Sequence, residues 1–133
     1  MTLERVNPPA LPPPSGFSHA VTARGGSLVF LAGQTALGQD NRIVEGGVVA
    51  QFEQALSNLL VALQAAGGRP EHLAKVTIFA VDPEDYRAHA REIGAVWHRL
   101  AGRDYPTMAL IGIVRLWDLP ALVELEGIAV LPD

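Results

Sequence analysis

The chain contains no cysteine, which excludes disulfide bonds, thiolate nucleophiles and cysteine-ligated metals. Its positive charge is not clustered: Lys75 is the single lysine, the arginines are scattered, and the formal net charge is -4 at pH 7. Nucleic-acid phosphates attract clustered lysines and arginines, so this charge pattern argues against a nucleic-acid partner. No apolar run is long enough to cross a bilayer, and the first residues do not resemble a secretory signal, so we expect a cytoplasmic protein without a membrane partner.

Apolar residues are abundant in a short chain. The 133 residues suit one compact domain, and we expect that domain to span residues 1–133. Hydrophobic residues make up 49% of the chain and charged residues only 18%, which is rich for a monomer. We therefore expect other subunits to cover part of the apolar surface.

Proline and glycine shape the beginning of the fold. The stretch 7–16 is too rich in proline for a helix or an interior strand, because proline lacks an amide hydrogen. Residues 1–15 are therefore interpreted as an extended N-terminal arm. Two strand-like runs then flank a pair of glycines, and this arrangement predicts a hairpin between residues 19–24 and 27–33.

Hydrophobic periodicity predicts the remaining elements. Asp82 followed by Pro83 is typical of a helix start, and that helix carries Tyr86, Ala90 and Trp97 on one face. The predicted elements are a helix at 48–66, a strand at 73–81, a helix from 82 to about 102, and strands at 107–114 and 122–130. The order β-β-α-β-α-β-β predicts an α+β layer sandwich, with two helices packed on one face of a mixed sheet. Other subunits around a symmetry axis are the expected cover for the opposite face.

A carboxylate interrupts the last predicted strand, which is otherwise apolar. Alternation along the strand puts Glu124 and Glu126 on the face opposite Val123, and Glu126 is expected to face solvent. Two interpretations of Glu124 are open. It belongs to the polar face of an ordinary strand, with a salt bridge to an arginine such as Arg115, or it lines a cleft and transfers a proton. Apolar walls would raise its pKa and suit the second role.

Six segments in this order resemble the RidA family, also called YjgF/YER057c/UK114 or endoribonuclease L-PSP-like proteins. The segments are 16–21, 29–34, 51–67, 75–79, Tyr105–Pro106 and 122–129. The resemblance covers nearly the whole chain. It implies a chorismate-mutase-like (bacillus-type) fold, a homotrimer, and small-molecule clefts at the subunit interfaces, with no metal or cofactor. The activity it implies is hydrolysis of reactive enamines and imines to keto acids and ammonia.

The resemblance assigns site residues with a mixed result. Glu124 matches the family's water-positioning glutamate. The family's carboxylate-binding arginine falls on Met108, and a thioether cannot form the charge-assisted pair that a guanidinium offers. The chain therefore resembles a branch without this arginine, and the sequence leaves open whether Arg115 or another arginine replaces it. The other implied substrate-binding positions offer apolar side chains or backbone groups: Phe17, Ala32, Gly33, Ala90 and Leu110.

Three functions compete at this stage. The first is a deaminase of small enamines or imines whose substrate differs from the usual 2-imino acids. The second is a non-catalytic trimer that binds a small molecule at its interfaces. The third is RNA cleavage, which the family label suggests and the acidic charge balance opposes. The roles of His19 and Trp117 are left open.

Overall fold

The chain forms six strands and three helices in the computed structural model, which describes residues 2–133. The strands are β1 (Thr2–Val6), β2 (Ala20–Arg24), β3 (Ser27–Gln34), β4 (Leu73–Ala80), β5 (Thr107–Gly112) and β6 (Val123–Leu131). The helices are α1 (Val48–Ala65), α2 (Pro83–Ala88) and α3 (Ala90–Ala101), with a short 3-10 turn at Pro70–His72. No helix within the described residues is long and apolar enough to span a bilayer.

Four of the strands form one mixed sheet in the order β3-β6-β4-β5. Only β4 and β5 run parallel, and the other neighbouring pairs are antiparallel. The core lies between this sheet and the helices, where Leu56 of α1 and Trp97 of α3 join Val76 of β4 and Leu125 of β6 in one apolar cluster. The predicted α+β sandwich with helices on one face is therefore confirmed.

Local signals locate the helix ends. Helix α1 ends where predicted, and Gly67 follows with a φ of 93°, a conformation that glycine adopts without strain. The Asp82 carboxylate accepts a hydrogen bond from the Asp85 amide at 3.1 Å and so caps α2. The second helix is not continuous as predicted, because His89 leaves helical geometry and divides it into α2 and α3.

The predicted hairpin of β2 with β3 is wrong. Strand β2 pairs with β1 instead, with Ala20 opposite Val6, and β3 pairs with β6. Gly25 and Gly26, both with positive φ, turn the chain from one sheet into the other. A glycine pair favours a sharp turn but does not choose the partner strand, and β1 lies in the segment interpreted as an arm. The proline-rich stretch 7–16 has neither helix nor strand, as predicted.

The N-terminal strand pair is fastened to the segment before β5. The Ser18 amide and hydroxyl donate to the carbonyls of Pro106 and Tyr105, at 3.0 and 2.8 Å. The Arg5 guanidinium donates to the Tyr105 carbonyl at 3.2 Å and to the Glu71 carbonyl at 2.9 Å. These bonds hold the end of the proline-rich stretch beside Tyr105.

Candidate functional site

Glu124 lies on the sheet face that points away from the helices. Its neighbours Val123 and Leu125 are fully buried in the core, whereas Glu124 is half-buried and Glu126 is exposed. The register pairs Glu124 with Phe79 of β4. The alternation predicted for β6 is therefore confirmed, and the carboxylate lies on what we call the outer face of the sheet.

Gly33 lies directly against the Glu124 carboxylate. The β3–β6 register shifts between Leu31 and Gln34, and this irregularity contains Gly33. A Cβ atom added to Gly33 would lie 2.8 Å from Glu124 Cδ, closer than real Cβ contacts. Glycine is thus required for the carboxylate to occupy this position. The structure brings together two residues that the sequence linked only through the family resemblance.

The carboxylate of Glu124 is partly desolvated and has no partner among the described residues. Burial raises its pKa above the ordinary value of 4.5, and the nearby charge of Glu126 raises it further. Within residues 2–133, Glu124 takes part in no ion pair and no side-chain hydrogen bond. The Arg115 guanidinium instead donates to the carbonyls of Leu116 and Trp117, at 3.1 and 3.2 Å. The salt bridge to Arg115 is therefore not formed within residues 2–133, and the carboxylate oxygens can bind water or ligand.

Met108 faces the opposite side of the sheet. It lies beside Val76 in the parallel β4–β5 ladder, and Val76 is buried against the helices. Met108 borders a cavity of about 170 Å³ between the sheet and α3, which we call the Met108 cavity. Its buried wall is formed by Phe52, Ile78, Ile93 and Trp97.

The polar groups of the Met108 cavity are neutral. Tyr86 lines it, and burial raises the pKa of this phenol to about 12. Tyr105 also lines it, and its hydroxyl is hydrogen-bonded to the His98 ring. The Trp97 ring stacks on Tyr105 with centroids 6.3 Å apart. The Trp97 indole Nε1 is buried without a hydrogen-bond partner among the described residues.

Only some of the other predicted site residues belong to these two regions. Ala90 lines the Met108 cavity, whereas Ala32 is exposed beside Gly33 on β3. Leu110 shares a strand face with Met108 but is 40% exposed and lies outside the cavity lining. Phe17 packs edge-on against His19, with ring centroids 5.2 Å apart.

Sequence reasoning missed part of the cavity wall. It placed Tyr86 and Trp97 on the helix face that carries Ala90, which is correct, but it assigned only Ala90 of these three to the ligand site. Gly94 also lines the cavity, and nothing in the sequence singled it out. The unpaired Trp97 nitrogen depends on neighbours from several elements, so helical spacing could not reveal it.

The sheet with helices on one face and a carboxylate on the other defines a chorismate-mutase-like α+β protein. The sequence profile described as Endoribonuclease L-PSP matches residues 8–131. The chain therefore belongs to this family, whose members also carry the names RutC, Rid and YjgF/YER057c/UK114.

Individual relatives match over almost their full length. A RutC family protein of Synechocystis sp. is 33% identical over 135 residues, covering 99% of both chains. A protein of Dermatophagoides farinae named 2-iminobutanoate/2-iminopropanoate deaminase is 29% identical over 128 residues, covering 95% of this chain and 94% of the relative. The crystal structure of the Rid protein YyfB from Yersinia pestis, of unknown function, matches with a TM-score of 0.86 and 32% identity, covering 98% of this chain and all of that one.

Proposed function

We propose that the protein is a deaminase that hydrolyses reactive enamines, imines or related small metabolites at clefts between the subunits of a homotrimer. The observation that carries the proposal is the unpaired, partly desolvated Glu124 carboxylate beside Gly33. The name of the Dermatophagoides farinae relative supports the same class of reaction. No step of this hydrolysis calls for a cofactor or a metal.

The chemistry needs a base that can also return a proton. Glu124 accepts a proton from water as the water oxygen bonds to the imine carbon. It donates this proton to the nitrogen, which gives a carbinolamine. Glu124 then takes the hydroxyl proton and passes it to the amine nitrogen, the carbon–nitrogen bond breaks as the carbonyl forms, and a carbonyl compound and ammonia leave. The raised pKa of Glu124 brings this carboxylate nearer to the pH at which a single group can do both.

The homotrimer is part of the proposal because the two regions lie on opposite faces of one sheet. Glu124 of one subunit can face the Met108 cavity only of a neighbouring subunit. Leu28 and Phe30, which are 63% and 73% exposed on the outer face, support this assembly, because a partner would cover them. The clefts between subunits are the proposed ligand sites.

Met108 changes the proposed substrate. A hydrogen bond to a charged group contributes roughly 1.5–3 kcal/mol, so a missing guanidinium weakens a carboxylate ligand by about one to two orders of magnitude. The Arg115 guanidinium donates to the carbonyls of Leu116 and Trp117, which argues against Arg115 as a replacement. The substrate is therefore proposed to differ from the usual 2-imino acids.

Ammonia release from freshly generated 2-aminoacrylate tests the proposal. We expect slow turnover by the native protein, and turnover about 10- to 100-fold faster in Met108→Arg, because the new guanidinium pairs with the carboxylate. Glu124→Ala should reduce the rate of ammonia release to background, both in the native protein and in Met108→Arg. Glu126→Ala is the matched control, since it removes an exposed carboxylate from the same strand face. Equal rates for Glu124→Ala and its parent would contradict the proposal.

A second candidate is a trimer that binds a small molecule without turning it over. The uncharged Met108 cavity favours it, because it lacks a group to hold a typical substrate. Ligand binding to the folded state raises the melting temperature by mass action. A ligand that raises the melting temperature of the native protein and of Glu124→Ala equally, with no ammonia released, would favour this candidate.

A further inference from the structure

The Met108 cavity carries no formal charge. Its lining includes no aspartate, glutamate, lysine, arginine or histidine, and its hydroxyl groups come from Ser15, Tyr86 and Tyr105. A carboxylate moved from water into such a site loses its hydration and gains no cation in return. The cavity therefore disfavours anions and accepts uncharged groups.

The size and the entrance of the cavity limit what can bind. Its volume is about 170 Å³, and an apolar protein cavity of about 150 Å³ holds a benzene molecule. Ala90 and Gly94 line it at exposed positions of α3, so small side chains border its mouth. An apolar group of ring size can therefore enter.

We propose that the Met108 cavity binds an uncharged apolar group of about ring size. As a statement about substrate, this rests on the proposed function, and it names the class: imines or enamines of uncharged ketones and aldehydes with a cyclic or branched body. As a statement about binding, it stands on the cavity alone.

Fluorescence can report binding directly. The chain has two tryptophans, so Trp117→Phe leaves Trp97 as the only one. Trp117 is 92% exposed in the loop before β6, so its replacement should not disturb the cavity. In this variant we expect cyclohexanone to change the Trp97 emission saturably, and cyclohexanecarboxylate at the same concentrations to leave it unchanged. Equal responses to the ketone and the anion would overturn the proposal.

A further variant tests the cavity mouth, with binding measured by calorimetry. Gly94→Leu should abolish cyclohexanone binding, because its side chain obstructs the mouth; its Cβ meets open space, so the fold should tolerate it. Unchanged cyclohexanone affinity in Gly94→Leu would refute the proposal.

Glu124→Gln separates this inference from the proposed function. It should bind cyclohexanone like the native protein while losing ammonia release. If the native protein binds cyclohexanone but releases no ammonia, the cavity assignment stands and the proposed deaminase function is rejected. If the native protein releases ammonia but does not bind cyclohexanone, the proposed function stands and the cavity assignment is rejected.

Discussion

At the scale of single residues, the candidate site depends on the close approach of Glu124 to Gly33. The carboxylate occupies space that any other residue at position 33 would fill with a Cβ atom. Among the described residues the carboxylate has no ion pair, and it is partly buried. Small changes at position 33 should therefore affect the carboxylate before they affect the fold.

Gly33→Ala is expected to displace the carboxylate, because the new Cβ would meet Glu124 Cδ at 2.8 Å. Overpacking of this kind destabilises proteins by about 1–3 kcal/mol. We expect a loss of ammonia release together with a lower urea midpoint. Gly47→Ser is the control, since nothing lies within 4 Å of a Cβ there, and it should change neither property appreciably. Full activity in Gly33→Ala would show that the carboxylate position is unimportant.

The raised pKa of Glu124 also predicts a pH dependence of stability. The folded state binds this proton more tightly than the unfolded state does. The free energy of unfolding should therefore fall as the pH rises from about 4.5, the ordinary value, through the raised folded pKa. In Glu124→Gln this carboxylate is absent, so the free energy of unfolding should not show the fall that Glu124 causes. Urea unfolding from pH 4 to pH 8 measures the difference, and parallel curves for the two proteins would contradict it.

At the scale of elements, a few polar side chains fix where the site elements begin. Gln51 of α1 accepts from the Leu122 amide at 2.8 Å and donates to the Pro120 carbonyl at 3.0 Å, which holds the start of β6 just before Glu124. Asp82 caps α2, one of the two helices after β4 that supply part of the cavity wall. The site is thus positioned by bonds that lie outside it.

Asp82→Ala should lower the free energy of unfolding by about 1 kcal/mol, because the Asp85 amide loses its acceptor. For a domain of this size the melting temperature should fall by about 4 °C. Asp82→Asn retains a side-chain oxygen at the cap and should lose less. Thermal unfolding followed by circular dichroism gives the melting temperatures of the native protein and of the two variants. Equal decreases in Asp82→Ala and Asp82→Asn would exclude the cap as the cause.

At the scale of the whole molecule, one sheet face is packed and the other is open. The helices cover the inner face, while Leu28 and Phe30 remain exposed on the outer face. Since the Met108 cavity and Glu124 lie on different faces, a single chain cannot assemble the proposed cleft. Assembly and activity should therefore be lost together.

Phe30→Glu should dissociate the proposed homotrimer, because it places a charge in the apolar surface that a partner would cover. Val61→Glu is the matched control: Val61 is 65% exposed on α1, on the helical layer rather than the outer face. Gel filtration with light scattering should find monomers only for Phe30→Glu, with loss of ammonia release. A native monomer, or a trimeric Phe30→Glu, would contradict this assembly.

Local rules let the sequence determine much of this protein by itself. The end of α1 at the glycine pair, the Asp82 cap and the alternation of β6 depend on neighbouring residues in the chain, and all three were predicted correctly. Tertiary structure alone decided that β2 pairs with β1, that Gly33 touches Glu124, and that Met108 lies on the other face. These contacts join segments far apart in the chain. Their choice depends on which strand edges and surfaces remain available once the whole core has formed, and no local pattern records that.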